Sequence, residues 1–112
     1  MRSHWDRRRF ARIEVDLPLT EGDVLAPNQA RTLDVSVWGL RYVTTAQAVR
    51  GRSREVRLAF SLPMHPQTIH AIGLVTKVDQ DALFCTTSVR FTHINPQDHE
   101  RLRSFVRQRR AA

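Results

Sequence analysis

Short runs in which apolar and polar residues alternate are the feature that most constrains the fold of this chain. The clearest run covers residues 55–62, and its apolar positions are Val56, Leu58, Phe60 and Leu62. A two-residue period predicts a strand with one buried face. We predict further strands at 13–17, 31–36, 40–44, 68–78 and 83–92. Several short strands at such close spacing indicate a small barrel or sandwich.

The connections and the C-terminus refine this prediction. Asp79-Gln80-Asp81 separates two runs as a hairpin turn would, and the second run places Cys85, Thr87, Val89 and Phe91 on one face. After it, Asn95 is a suitable helix N-cap, and Leu102, Phe105 and Val106 form an apolar stripe. We therefore expect an all-β fold: a roughly six-stranded antiparallel barrel with a C-terminal α-helix over residues 13–107. A flexible basic arm at 1–12 and a basic tail at 108–112 are expected to flank it.

Length and composition limit the setting. The chain has 112 residues, enough for one domain, and its single cysteine, Cys85, cannot form an internal disulfide. No apolar stretch approaches the ~18 residues of a membrane span, and the charged sequence MRSHWDRRRFAR does not resemble a signal peptide. These features predict a protein of the reducing cytoplasm that does not insert into membranes.

The positive charge is concentrated at the two ends of the chain. The formal net charge is +7, with +4 in residues 1–12, +4 in residues 100–112 and −1 between them. All basic residues except Lys77 are arginine, an excess that genomic codon bias or the recognition of phosphate and guanine would explain. This distribution favours local anion capture over a uniformly basic surface for DNA or RNA.

Enzyme signatures are missing from the sequence. The five histidines have no H-E-x-x-H spacing, Cys85 lacks zinc-type partners, and Ser36 is not in a G-x-S-x-G elbow. Asp79 and Asp81 fit a turn better than an acid–base pair. We therefore expect no enzyme, no metal site and no cofactor.

Two arginine-associated motifs are the candidate binding elements. Arg8 and Arg12 form R-x-x-x-R, and 22 residues later Asp34, Ser36 and Gly39 form D-x-S-x-x-G. Their order, spacing and placement resemble the PilZ family of cyclic di-GMP receptors. The resemblance continues through the strands around the second motif and through Ser88-Val89-Arg90-Phe91 to the closing helix.

The resemblance implies a ligand site built from these residues. Arg8 and Arg12 would wrap the nucleotide, since guanidiniums fork onto guanine O6 and N7 or lie over the ring. Asp34 would accept guanine N–H donors, Ser36 would hydrogen-bond the ligand, and Gly39 would let the backbone approach a base. Further candidates beside the motifs are Arg7, Arg9, Trp38 and Arg41.

Two positions depart from the family pattern. Trp38 occupies a variable slot that is more often small or charged, so it would stack on a base, crowd one out, or act as an aromatic residue of the core or the barrel end. Ser88 stands where glycine is frequent, and we expect this to affect packing rather than the ligand.

The predicted function is a stand-alone bacterial cyclic di-GMP receptor that orders its N-terminal arm around the nucleotide and signals to a partner protein. Because Arg7 extends the R-x-x-x-R motif, two ligands per chain are predicted. The alternative is a PilZ-like protein-interaction adaptor with little or no nucleotide binding. A general RNA- or DNA-binding barrel is disfavoured by the near-neutral middle of the chain.

Overall fold

The computed structural model describes residues 11–22, 25–46 and 54–111. The predicted arm therefore lies outside the described residues except for Ala11 and Arg12. The elements are strands β1 (Ile13–Glu14), β2 (Pro18–Glu21), β3 (Asn28–Val35), β4 (Gly39–Thr45), β5 (Glu55–Ser61), β6 (Thr68–Gln80) and β7 (Phe84–Ile94), followed by helix α1 (Pro96–Ala111).

The strands close into an antiparallel barrel. Around it the order is β2, β5, β6, β7, β4 and β3, and β3 pairs with β2 again to complete the circle. The short β1 pairs with the same edge of β3 as β2 does, so the two together form one interrupted strand. The prediction of a six-stranded barrel with a C-terminal helix is confirmed.

The first strand differs from its prediction. A continuous strand was expected over 13–17, whereas β1 ends at Glu14 and Pro18 begins β2. Thr32 of β3 fills the gap, because its hydroxyl donates to the Val15 carbonyl at 2.6 Å and accepts the Leu17 N–H at 2.8 Å. A buried threonine hydroxyl thus satisfies backbone groups that the ladder leaves unpaired.

The alternating residues fill the barrel as predicted. All four apolar residues of the 55–62 run are buried, and so are the four residues assigned to one face of β7. Leu102, Phe105 and Val106 of α1 belong to the same core cluster, so the helix packs against the barrel through its apolar stripe. Two-residue and helical periods were sufficient to identify these positions.

Both ends of α1 reflect local sequence. Asn95 caps the helix, since its side-chain oxygen accepts the N–H of Gln97 at 2.7 Å. The helix continues to Ala111, so residues 108–110 lie in its last turn rather than in the tail predicted to begin at 108. Glutamine and arginine are good helix formers, and Arg109 and Arg110 complement the negative helix end.

A buried carboxylate inside the barrel is held by polar neighbours. Glu21 accepts a hydrogen bond from the Tyr42 hydroxyl and another from the Asn28 amide at 3.3 Å. Both Glu21 and Tyr42 are almost fully buried. A buried charge is tolerated only when it is hydrogen-bonded, so Tyr42 contributes to stability through its hydroxyl as well as its ring.

We expect Tyr42→Phe to lower the free energy of unfolding by about 1–3 kcal/mol, because it removes a donor from a buried carboxylate. Thr44→Val is a control on the same strand and the same face, since the buried Thr44 hydroxyl has no hydrogen-bond partner among the described residues. Urea denaturation should show that Thr44→Val lowers the free energy of unfolding only slightly or raises it. Equal losses in both variants would contradict the role given to the Tyr42 hydroxyl.

Candidate functional site

A bulge in β3 puts Asp34 on the outer face of the barrel. Thr32 pairs with Tyr42 of β4, and the register then shifts so that Asp34 pairs with Arg41. In β4, Leu40 and Tyr42 point into the core and Arg41 lies between them on the outside. Paired residues share a face of the sheet, so Asp34 lies on the outer face beside Arg41. Strict alternation from Thr32 would have turned it inward.

The Asp34 carboxylate is bound firmly on one side only. Its Oδ2 accepts a hydrogen bond from Arg41 Nε at 2.8 Å and forms an ion pair with Arg41 Nη2 at 2.6 Å. Its Oδ1 is buried without a hydrogen-bond partner from the described residues, and Arg12 Nη1 lies 3.9 Å from it. A buried acceptor of this kind costs free energy unless a donor reaches it.

The main partner of the Arg41 guanidinium is therefore the Asp34 carboxylate. Hydrogen bonding to the Asp34 side chain, followed by the charges of Asp34, Glu14 and Asp79, raises the pKa of the Arg41 guanidinium. It stays charged at physiological pH. Arg12, by contrast, has a half-exposed side chain (51 %) at the edge of the site, where it is available to an incoming group.

Ser36 and Gly39 form the tight turn that joins β3 to β4. The Ser36 hydroxyl accepts the N–H groups of Trp38 at 3.2 Å and Gly39 at 3.1 Å. It also donates to the Gly39 carbonyl, whose oxygen accepts the Ser36 N–H as well. The predicted ligand contact at Ser36 thus lies within the turn, with its hydroxyl already used to shape it.

The requirement for glycine at position 39 comes from packing between strands. A Cβ placed there would lie 2.2 Å from the carbonyl oxygen of Val89 in the neighbouring β7. That distance is impossible without moving backbone. Gly39 thus makes room for β7, and its predicted close approach to a base stays a prediction.

Trp38 contacts helix α1. Its indole contacts the ring of His99 edge-on, at a centroid distance of 5.4 Å, while His99 Nε2 hydrogen-bonds the Val37 carbonyl at 3.0 Å. Trp38, 46 % exposed, lines a groove of about 920 Å³ together with His99 and residues of β5, β6 and β7, but without Asp34 or Arg41. Trp38 thus contacts α1 through His99, and its predicted contact with a base stays a prediction. No sequence signal identified His99 as its partner.

The outer-face row that contains Asp34 and Arg41 continues across two more strands. Arg41 pairs with Ser88 of β7, which in turn pairs with Lys77 of β6. Ser88 lies between the buried Thr87 and Val89, so its side chain is on the outside. The structure thus places Ser88 next to Arg41, and the prediction that it affects packing rather than the ligand stays untested. The alternation of β7 predicts the outward face of Ser88 but not its pairing with Arg41.

The remaining predicted site residues are Arg7, Arg8 and Arg9, and they lie outside the described residues.

Asp81 is a turn residue, as the sequence predicts: its carboxylate accepts the N–H groups of Leu83 and Phe84, both at 2.8 Å. These donors, Phe84 first and Leu83 second, lower the pKa of Asp81. Within the described ranges there is no grouping of metal-ligating side chains, and no helix there is long and apolar enough to cross a bilayer.

The structure is a β-barrel closed by a C-terminal helix, and the hairpin that carries the second motif places a polar candidate site on its outer face. Comparison with known proteins identifies the family. The sequence profile of the PilZ domain matches residues 6–108. The chain therefore belongs to the PilZ domain family. None of the curated proteins matches it by sequence.

Solved structures with the same fold span several bacteria. The inhibitor of motility MotI/DgrA from Bacillus subtilis is similar over 94% of this chain and 52% of its own length, with a TM-score of 0.80 and 16% identity. The PilZ domain of YcgR from Escherichia coli, solved with c-di-GMP, is similar over 94% and 95%, with a TM-score of 0.69 and 15% identity. PlzA from Borreliella burgdorferi, in complex with c-di-GMP, is similar over 98% and 55%, with a TM-score of 0.63 and 7% identity. This chain thus spans about half the length of the first and the last.

Proposed function

We propose that this chain is a cyclic di-GMP receptor that binds the nucleotide on the outer face of the β3–β4 hairpin. The observation that carries the proposal is the Asp34 carboxylate: Arg41 holds one oxygen, and the other is a buried acceptor without a hydrogen-bond partner among the described residues. That acceptor belongs to the second of the two motifs by which the chain resembles nucleotide-binding PilZ domains.

Guanine supplies the donors that this acceptor lacks. The N1–H and the exocyclic amino group lie side by side on the Watson–Crick edge, and an ionised carboxylate is acceptor-only. Arg12, whose Nη1 is 3.9 Å from Asp34 Oδ1, is close enough to contact the same base. Its planar guanidinium would fork onto O6 and N7 or lie over the ring.

Ligand binding would order the N-terminal arm. Arg8 precedes Arg12 by four residues, so a ligand held by both arginines fixes the segment between them against the barrel. The surface offered to an effector protein then differs between the free and the bound receptor, which is an order–disorder switch. The buried, unpaired Cys85 is compatible with action in a reducing cytoplasm.

Calorimetry with cyclic di-GMP, cyclic di-AMP and GTP side by side tests the proposal. We expect saturable binding of cyclic di-GMP, and weaker binding of cyclic di-AMP because adenine N1 is an acceptor. Added salt should lower the affinity for cyclic di-GMP less steeply than salt lowers the affinity of a protein for a polyanion such as DNA or RNA. Absence of cyclic di-GMP binding would reject the receptor function and favour the adaptor alternative.

The basic stretch before Phe10 leads to a prediction about stoichiometry. Arg7, Arg8 and Arg9 precede Phe10, and Arg12 follows it, so one nucleotide does not use all four guanidiniums. Two cyclic di-GMP molecules that interleave their guanines carry four phosphates, and Arg7 would offset the added charge. We expect two ligands per chain under tight-binding titration and one in Arg7→Leu. A ratio of one in both proteins would contradict a second ligand.

A further inference from the structure

Three basic residues surround Ser88 on the outer face of the barrel. Arg41 of β4 pairs with Ser88 on one side and Lys77 of β6 pairs with it on the other. Arg90 follows two residues later in β7, on the same face. Neighbouring strands lie about 4.8 Å apart and two residues span about 6.7 Å along a strand, so the three backbone positions lie close around Ser88.

The cations of this cluster differ in how strongly they are paired with carboxylates of the protein. Arg41 is committed to Asp34, whereas the Lys77 side chain is 70 % exposed and its ammonium is 3.6 Å from the Asp79 carboxylate. That separation is too long for a hydrogen bond, and both groups are exposed, so the pair is weak. Lys77 is therefore free to turn toward an anion above Ser88. The serine hydroxyl adds a donor beneath it.

We infer that Lys77, Ser88 and Arg90 form a phosphate subsite of the proposed cyclic di-GMP site. The inference rests on the proposed function. Asp34 and Ser88 are separated by two strand spacings, about 10 Å, along one outward row. The base edge and the phosphate lie at opposite ends of a guanine nucleotide, so a guanine seated on Asp34 extends its phosphate along the row toward Ser88. Lys77 binds it as a point charge.

Lys77→Ala tests the subsite, with Arg103→Ala as the matched control. Both variants remove one exposed positive charge, and Arg103 lies on α1. We expect the Kd for cyclic di-GMP to rise about three- to tenfold in Lys77→Ala and less than about twofold in Arg103→Ala. Lys77→Arg should retain binding because it keeps the charge. Circular dichroism should show the same fold in all three.

Phosphorus NMR of the bound ligand separates a local contact from a general charge effect. In Lys77→Ala one bound phosphorus resonance should move, while the guanine imino protons stay at their wild-type positions. If the wild type binds and Lys77→Ala matches Arg103→Ala in affinity and spectrum, the subsite is wrong and the receptor function stands. If the wild type does not bind cyclic di-GMP while retaining its fold, both are wrong.

Discussion

Asp34→Ala should raise the Kd for cyclic di-GMP about 100-fold or more, the largest effect we expect from any single substitution. It removes the acceptor for the guanine edge, and hydrogen bonds to charged groups contribute about 1.5–3 kcal/mol. It also releases Arg41, so the remaining site is no longer organised. The free energy of unfolding should change by less than about 1 kcal/mol, because the Arg41 side chain is 41% exposed and its guanidinium can be solvated instead.

Calorimetry on Asp34→Ala and Asp34→Asn measures this effect. Asparagine keeps a single side-chain oxygen, which can serve Arg41 or the ligand but not both as well as a carboxylate does. We therefore expect an intermediate affinity. The preference for cyclic di-GMP over cyclic di-AMP should shrink in parallel. Wild-type affinity in Asp34→Ala would mean that Asp34 serves only to hold Arg41.

Arg12→Ala and Arg8→Ala should each cost about 1.5–3 kcal/mol of binding, which is about 10- to 150-fold in Kd. The thermal midpoint of the free protein should barely move, since the Arg12 side chain is half exposed and its ion pair with Asp34 is long. Arg12→Lys keeps the charge and should still bind poorly, because an ammonium cannot fork onto a base edge. If both alanine variants bind as the wild type does, the arm is a solvated tail.

The fold was largely readable from the sequence because its signals are local. Period-two alternation identified the core of β5 and β7, and Asn95 identified the start of α1. The interruption between β1 and β2 was not readable. It depends on a hydroxyl of Thr32 that lies fifteen residues away from Leu17 in the chain.

The motif residues can be read from the sequence, but the contacts that they make in the structure cannot. A bulge in β3 decides whether Asp34 lies on the inner or the outer face of the barrel. A bulge depends on how the strand pairs with its neighbour. The reason for glycine at position 39 is likewise on another strand, at the Val89 carbonyl. The position of Ser88 beside Arg41 is a matter of register. Distant pairings of this kind have no signature in a single sequence.

The connection between Arg12 and β1 has a kinetic consequence. Arg12 precedes Ile13, the first residue of β1, and β1 is paired to β3 beside Asp34, so the C-terminal end of the arm is anchored next to the proposed ligand site. In the proposed receptor, the arm would act as a second binding module with a high effective concentration and a small loop-closure entropy. Release would then require the arm to open before the nucleotide leaves the barrel face. Changes in the arm should therefore alter the residence time of the ligand more than its association rate.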